Sequence, residues 1–405
     1  MTHDVIVIGG GIGGAALATG LARDGVDVLV LEATEVYTDR VRGESMQPWG
    51  VREAQRLAVA DALVDAGGHT TAVWARYAEG DERPREIPVG SMVAGVAGTL
   101  NLHHPTACQA LLDAAALAGA TVHRGIRGVE VELGPQPVVH WRSASGTRVS
   151  SRANVVVGAD GRASVVRRSA GIRLHEQRAM GFIAGLLLDQ VEVAPGRDLV
   201  ADHERGLFLL FHQRAGRARA YHVVGPSDRA RYAGADGPRR FISDASALGA
   251  AGLGALATAR PAGPTAAFPG TDTWTDRPYA DGVVLVGDAA GHNDPTAGCG
   301  LSIALRDARI VRELIVAGAN TADHFVPYGV ERVERMRRLR LVADLVNVAS
   351  VEEAPNRSAR RTLFAKSMEA FDAQIFPVML GMFAGPETIP DHLVDDAVLH
   401  RVRSA

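Results

Sequence analysis

The sequence predicts an α/β protein: a parallel sheet carrying helices, interrupted by a second, mixed β-sheet and followed by C-terminal helices. Three observations carry this. A continuous apolar run, Val5 to Ile8, leads into the glycines of Gly9 to Gly14 and then into Ala15 to Arg23, rich in strong helix formers. Valine-rich runs of strand length recur far downstream at Val155 to Val157 and Val283 to Val286, each ending in a Gly/Asp pair. Between and after them the texture changes, first to longer alternating stretches and then to helical periodicity.

Taken in order, Asp24-Gly25 ends the first helix and Val28 to Leu31 is a second buried strand, a strand–helix–strand order that gives parallel pairing. Ala107 to Ala118 is an alanine and leucine helix closed by Gly119, and Thr121 to His123 follows as another strand. Phe182 to Leu188, Leu207 to Gln213 and Ala218 to Val224 are expected as antiparallel strands, the last two a hairpin turning between Arg214 and Arg217. Alternation in that hairpin puts Phe208, Leu210, His212 and His222 on one face and Leu207, Leu209, Phe211 and Tyr221 on the other. Pro261 to Pro269 is expected as a connector. Glu331 to Asn347 is expected as an amphipathic helix with a solvated arginine-rich face. The implied division is a first domain from 1–72, 104–174 and 276–325, a second from 73–103 and 175–275, and a helical region at 326–405.

With 405 residues, 47% hydrophobic, and a net charge of −3, the chain can bury a large core and offers no basic surface for nucleic acid. Its basic side chains are almost all arginine; Lys366 is the single lysine, which excludes mechanisms needing a lysine in the N-terminal half. Cys108 and Cys299 form no CxxC pair, which argues against a disulfide framework or a cysteine-rich metal site. No charged segment precedes an apolar leader, and the apolar runs are too short to span a bilayer, so a cytoplasmic protein without integral membrane association is expected. No metal-ligand pattern stands out. The number of subunits is not legible.

The chemistry begins at Gly9-x-Gly11-x-x-Gly14. After a strand, Gly9 permits the tight turn, Gly11 lets backbone approach a pyrophosphate, and Gly14 lets helix pack on strand, while the helix N-terminus from Ile12 offers oriented N–H groups to an anion. Glu32, at the end of the second strand, has the spacing for the hydroxyls of an adenosine ribose, and no basic replacement suggests a phosphorylated one. FAD and NAD both remain open on this segment alone.

Two further segments separate them. Asp160-Gly161 ends one strand and Gly287-Asp288 another, where an acid can bind a ribityl chain, which NAD lacks. The loop Pro295 to Gly300, with Gly298 inside it and a helix starting at Leu301, offers N–H groups to an isoalloxazine ring. In this order the three motifs resemble the FAD-dependent monooxygenases of the para-hydroxybenzoate hydroxylase type, over Val5 to about Ala308. That resemblance implies a Rossmann-like FAD-binding domain, reduction of FAD by NADH or NADPH, reaction with O2 to a flavin C4a-hydroperoxide, and oxygenation of a hydrophobic, aromatic or polyketide-like small molecule. Such enzymes have no second nicotinamide-binding fold, and no second strand–GxGxxG–helix occurs here.

The departures are specific. Gly291 stands where the hydroxylases carry a histidine after GDAA, and with Asp294-Pro295 this form also resembles geranylgeranyl reductases, which makes an FAD-dependent reductase or dehydrogenase the alternative reading. A protein that retains FAD without turnover is a further alternative. His104 occupies the place of an FAD-contacting arginine, and Arg42 fits an arginine placed beside the ribityl and pyrophosphate groups. Gly43-Glu44-Ser45 resembles flavin-dependent halogenases, but the lysine those enzymes use and their WxWxIP motif are missing, so halogenation is not expected. On the substrate side, His212, Tyr221 and His222 are the candidates to deprotonate a phenol. Cys299, between two glycines, is expected to be a small residue fitted into a tight loop.

Overall fold

The computed structural model describes residues 2–405 except Arg42, Glu79, Gly80, Glu82, Val193, Pro195, Ala215 and 249–252. Along the chain, the elements that position the site are β1 (Thr2–Ile8), α1 (Ile12–Arg23), β2 (Val28–Glu32), β3 (Val73–Tyr77), α2 (His104–Leu117), β4 (Thr121–Arg124), β5 (Arg148–Gly158) and β6 (Gly181–Val191). They continue with β7 (Arg197–His203), β8 (Gly206–Arg214), β9 (Gly216–Val224), β10 (Ala266–Gly270), β11 (Val283–Leu285), α3 (Gly300–Val316) and α4 (Val326–Ser350).

The expected parallel sheet runs β11-β5-β1-β2-β4, with Val5 to Ile8 in register with Val155 to Gly158 on one side and Val28 to Leu31 on the other. β1 is apolar without alternation because both faces are covered: Val5 and Val7 pack under α1, and Ile6 and Ile8 pack on the opposite side with Val139, Val156 and Val166. Helix α1 lies close against α3, where a Cβ at Gly13 would meet Ala304 Cβ at 3.3 Å.

The second sheet is mixed: β6 pairs antiparallel with β9, β9 with β8 and β8 with β7, while β3 pairs parallel with β7. Three expectations need correction here. The segment 261–269 is no plain connector, because β10 within it pairs with β6, its backbone groups completing that strand's free edge. The segment 73–103 divides: β3 joins the second sheet, whereas Thr99–Asn101 pairs with Ser45–Met46 and His69–Thr71 in a separate three-stranded sheet. The arginine face of the C-terminal helix is not solvated, since Arg332 and Arg335 on α4 are buried against Asp307. Periodicity registers the arginines as polar and cannot see a buried carboxylate waiting on another helix.

Helix α4 and the helices Arg357–Glu369, Ile375–Ala384 and Ala397–Arg403 pack with the site-facing side of the second sheet into one core. Leu209, Phe211 and Tyr221 belong to it, whereas Phe208 and Leu210 face away into a core beneath the helix Gly237–Ser246.

Candidate FAD and substrate cavity

The cavity is built first by glycines. Gly9 has φ +105°, and a Cβ there would meet Ala159 O at 2.3 Å; at Gly14 it would meet Gly9 O at 2.0 Å. Both are therefore fixed by packing, while a Cβ at Gly11 would meet nothing within 4 Å and would project into open space. Helix α1 starts there with no side-chain cap and no acid in its first turn, so its N–H groups and positive dipole end are left for something anionic.

At the end of β2, Glu32 is locked in place by accepting from Gly10 N and Thr34 N, each at 2.6 Å. Tyr37 donates to Gly10 O at 2.6 Å, and Arg124 lies over its ring. Burial and the neighbouring Glu32 push the Tyr37 phenol up, which keeps it a donor. At the end of β5, Asp160 Oδ2 accepts from Val165 N at 2.6 Å and its Oδ1 is buried without a partner, while Gly161 opens onto free space.

After β11, the turn Gly287–Ala290 is held from behind. Asp307 of α3 accepts from Gly287 N at 2.8 Å, and Arg332 of α4 donates to the carbonyls of Gly287, Ala290 and Gly291 at 3.1, 3.0 and 2.8 Å as well as to Asp307. Asp288, held out toward the cavity, pairs with Arg162 at 3.4 Å. Gly291 has φ +113°, and a Cβ would meet Thr273 O at 2.4 Å, so packing alone accounts for glycine there. Asp294 caps the Pro295–Ala297 turn through Thr296 N and accepts from Asn347 at 3.0 Å; Gly298 follows with φ +62° and Gly300 faces open space.

These segments enclose one cavity of about 810 Å³. Gly9, Gly11, Ile12, Gly14, Glu32, His104, Asp160, Gly161, Gly287, Asp288, Pro295, Gly298, Gly300 and Leu301 all line it. Arg42 lies outside the described residues. His104 packs beneath Gly43, whose added Cβ would meet its Cδ2 at 2.6 Å. The second sheet closes the cavity with Ile183, Leu209, Phe211 and Tyr221, joined by Trp74 and Phe268.

Two of the substrate-side candidates fall elsewhere. His212 packs edge-on against His69, ring centroids 4.5 Å apart, and His222 accepts or donates at Tyr232 Oη at 2.6 Å on the far face of the sheet. Neither lines the cavity; Tyr221 does. Burial drives His222 down to about 3, so it is a neutral packing residue. Cys299 directs its sulfur at Ala297 O and Met382 O, and burial pushes its thiol up, so it is not a poised nucleophile.

Glu44 is a cavity residue to which sequence reasoning gave no role. The residue is 2% exposed, Tyr221 donates a short hydrogen bond to Oε2, and burial raises the carboxyl against the opposing effect of Arg219. The glycine–glutamate–serine triplet was the available signal, but its partner lies 177 residues away. Among the described residues no group of three His, Cys, Asp or Glu is arranged to hold a metal ion.

A family model described as FAD binding domain matches residues 2–335. The chain belongs to that FAD-binding family. The site agrees with the cofactor: an uncapped helix N-terminus, open glycines at 11, 161 and 300, and Asp160, whose Oδ1 is buried without a partner, line one cavity. The FAD-binding chain is 28% identical over 397 residues to ubiquinone hydroxylase UbiL of Rhodospirillum rubrum, covering 88% of this chain and 84% of that one. It is 24% identical over 327 residues to squalene monooxygenase SE1 of Panax ginseng, covering 77% of this chain and spanning 58% of that relative's length. Its fold matches a flavoprotein/dehydrogenase of Cytophaga hutchinsonii with a TM-score of 0.77 at 17% identity, over 100% of this chain and 99% of that one. No helix among the described residues is long and apolar enough to cross a membrane.

Proposed function

We propose that this FAD-dependent oxidoreductase is a monooxygenase that takes electrons from NADH or NADPH and inserts one oxygen atom of O2 into a hydrophobic small molecule. The observation that carries the reading is the continuity of one cavity from the α1 cradle to an apolar wall formed by Trp74, Ile183, Leu209, Phe211 and Phe268. FAD, when bound, supplies the two-electron reduction by nicotinamide and the activation of O2. The protein's work is then to bind, to orient and to exclude water.

In this reading Gly9, Gly11, Ile12, Gly14 and Glu32 hold the adenosine diphosphate end, His104 contacts FAD, and Arg42 keeps the role the sequence suggests for it, beside the ribityl and pyrophosphate groups. Asp160, Gly161, Gly287 and Asp288 hold the ribityl and pyrophosphate region, and Pro295, Gly298, Gly300 and Leu301 hold the ring. The apolar wall shields the reacting groups from water, and Tyr221 with Glu44 gives it a polar point. The domain division follows: the parallel-sheet domain carries the cofactor, and the mixed sheet carries the substrate.

Two curated relatives, a ubiquinone hydroxylase and a squalene monooxygenase, are named for adding oxygen to hydrophobic molecules, which supports the assignment. The reductase alternative rested on Gly291 and Asp294-Pro295; backbone and packing explain the first and turn capping the second, so no observation favours it. Halogenation has no support either, because no lysine is among the cavity-lining residues. The test is NAD(P)H oxidation by the FAD-loaded protein with an oxygen electrode: O2 uptake that quickens with a hydrophobic substrate is expected, and substrate turnover without O2 would refute the proposal.

A further inference from the structure

His104 is the first residue of α2, is half-buried and lines the cavity. Helix α2 packs along α1, where Thr19 donates to Leu111 O at 3.4 Å and a Cβ at Gly10 would meet Leu112 Cδ1 at 3.1 Å. At Gly43 a Cβ would lie 2.6 Å from His104 Cδ2 and 3.5 Å from Leu301 Cδ2, so His104 also stands beside the start of α3. The first residues of all three helices, Ile12, His104 and Gly300, line one cavity, and none of the three helices has a side-chain cap or an acid in its first turn. Three positive dipole ends therefore converge there without a counter-charge of their own.

We infer that His104 binds the diphosphate of FAD as an imidazolium, so that the protein takes up a proton with the cofactor and holds it less tightly as pH rises. The inference rests on the placement of the FAD diphosphate at the α1 cradle and on nothing in the monooxygenase reading. An arginine keeps its charge at every pH, whereas an imidazole changes charge between about pH 5 and pH 8. The helix ends and the cavity-lining Arg40 oppose a proton on His104 until an anion neutralises them, which couples protonation to binding. The other groups around it leave this role to His104. On its own helix Cys108 Sγ lies 3.6 Å from its Nδ1, and His103 precedes it; α3 presents Leu301, which does not titrate. From the loop after β2, Glu32 accepts two backbone N–H groups, burial keeps the Tyr37 phenol protonated, and Glu44 is engaged with Tyr221 and Arg219. His292, which also lines the cavity, is driven by burial down to about 4 and stays neutral through this range.

The test dilutes the FAD-loaded protein in buffers from about pH 5.5 to about pH 8.5 and reads the dissociation constant from the fluorescence of released FAD. That constant is expected to rise about ten-fold across the range, the worth of a charge-assisted hydrogen bond. Calorimetry of FAD binding in buffers of different ionisation heat should show proton uptake near neutral pH. His104→Arg should hold FAD with one affinity throughout, and His104→Gln should hold it weakly throughout. Asp272→Asn removes a carboxyl that burial lifts to about 7 but that does not line the cavity, so it should keep the natural pH dependence of FAD affinity. A dissociation constant that does not change with pH, FAD binding without proton uptake, or a pH dependence that survives in His104→Arg would each overturn the assignment. The first two are read on the natural protein, so they decide the matter even if a variant does not fold. Because neither nicotinamide nor O2 is consumed in these assays, the assignment and the monooxygenase reading fail separately.

Discussion

The phenol of Tyr221 donates to the buried carboxyl of Glu44, joining the second sheet to the loop that follows β2 across 177 residues of sequence. Removing that donor strips a buried acceptor without giving it water. Tyr221→Phe should therefore cost about 1–3 kcal/mol of stability, read from the shift of a urea midpoint at unchanged slope. An unchanged midpoint would show that the pair is not formed in the folded protein.

Gly11 and Gly14 belong to the same turn yet should fail in different ways. Gly11→Val places its side chain in open cavity space at an ordinary φ of −71°, so the fold should persist while FAD affinity falls about a hundred-fold, the worth of two or three kilocalories of lost contact. Gly14→Ala drives a Cβ to 2.0 Å from Gly9 O and should lower the melting temperature first. Comparing melting curves with FAD titrations checks both; equal loss of fold in the two variants would contradict the geometry.

Arg332 donates to Asp307 and to three carbonyls of the turn that presents Asp288. Arg332→Met leaves those carbonyls bare and Asp307 half paired, at a cost of about 3–5 kcal/mol, and Arg332→Lys should recover only part of it because an ammonium lacks the planar fork. Denaturant unfolding gives the cost, and weakened FAD binding in the lysine variant would show that the turn has moved.

Asp272 is buried beside Asn293, and burial lifts its carboxyl to about 7. A folded-state value above the unfolded one means stability is lost as pH rises through that range. Asp272→Asn carries no such penalty, so its stability relative to the natural protein should improve by roughly 2 kcal/mol between pH 5 and pH 8. Urea midpoints for both proteins at the two pH values measure it, and a constant difference would place Asp272 in solvent.

The parts of the site that were legible in the sequence are those made by neighbours in the chain. Gly9, Gly11 and Gly14 declare a turn because backbone sterics act within a few residues, and Gly161, Gly287 and Gly298 do the same at their own loops. Strand alternation likewise placed Leu209, Phe211 and Tyr221 together, and all three line the cavity. What stayed hidden depends on partners brought from afar. Arg332 looks like any surface arginine until Asp307 comes beneath it, Glu44 is one acid among many until β9 crosses it, and His212 and His222 lie where the helices and the small sheet cover them, which alternation cannot reveal.

Product mass after aerobic turnover with isotopically labelled O2, using NADH or NADPH and a panel of hydrophobic molecules, tests the central claim most directly. The expected product carries one labelled oxygen atom more than its substrate. A product that has gained or lost two hydrogens and holds no label would contradict it.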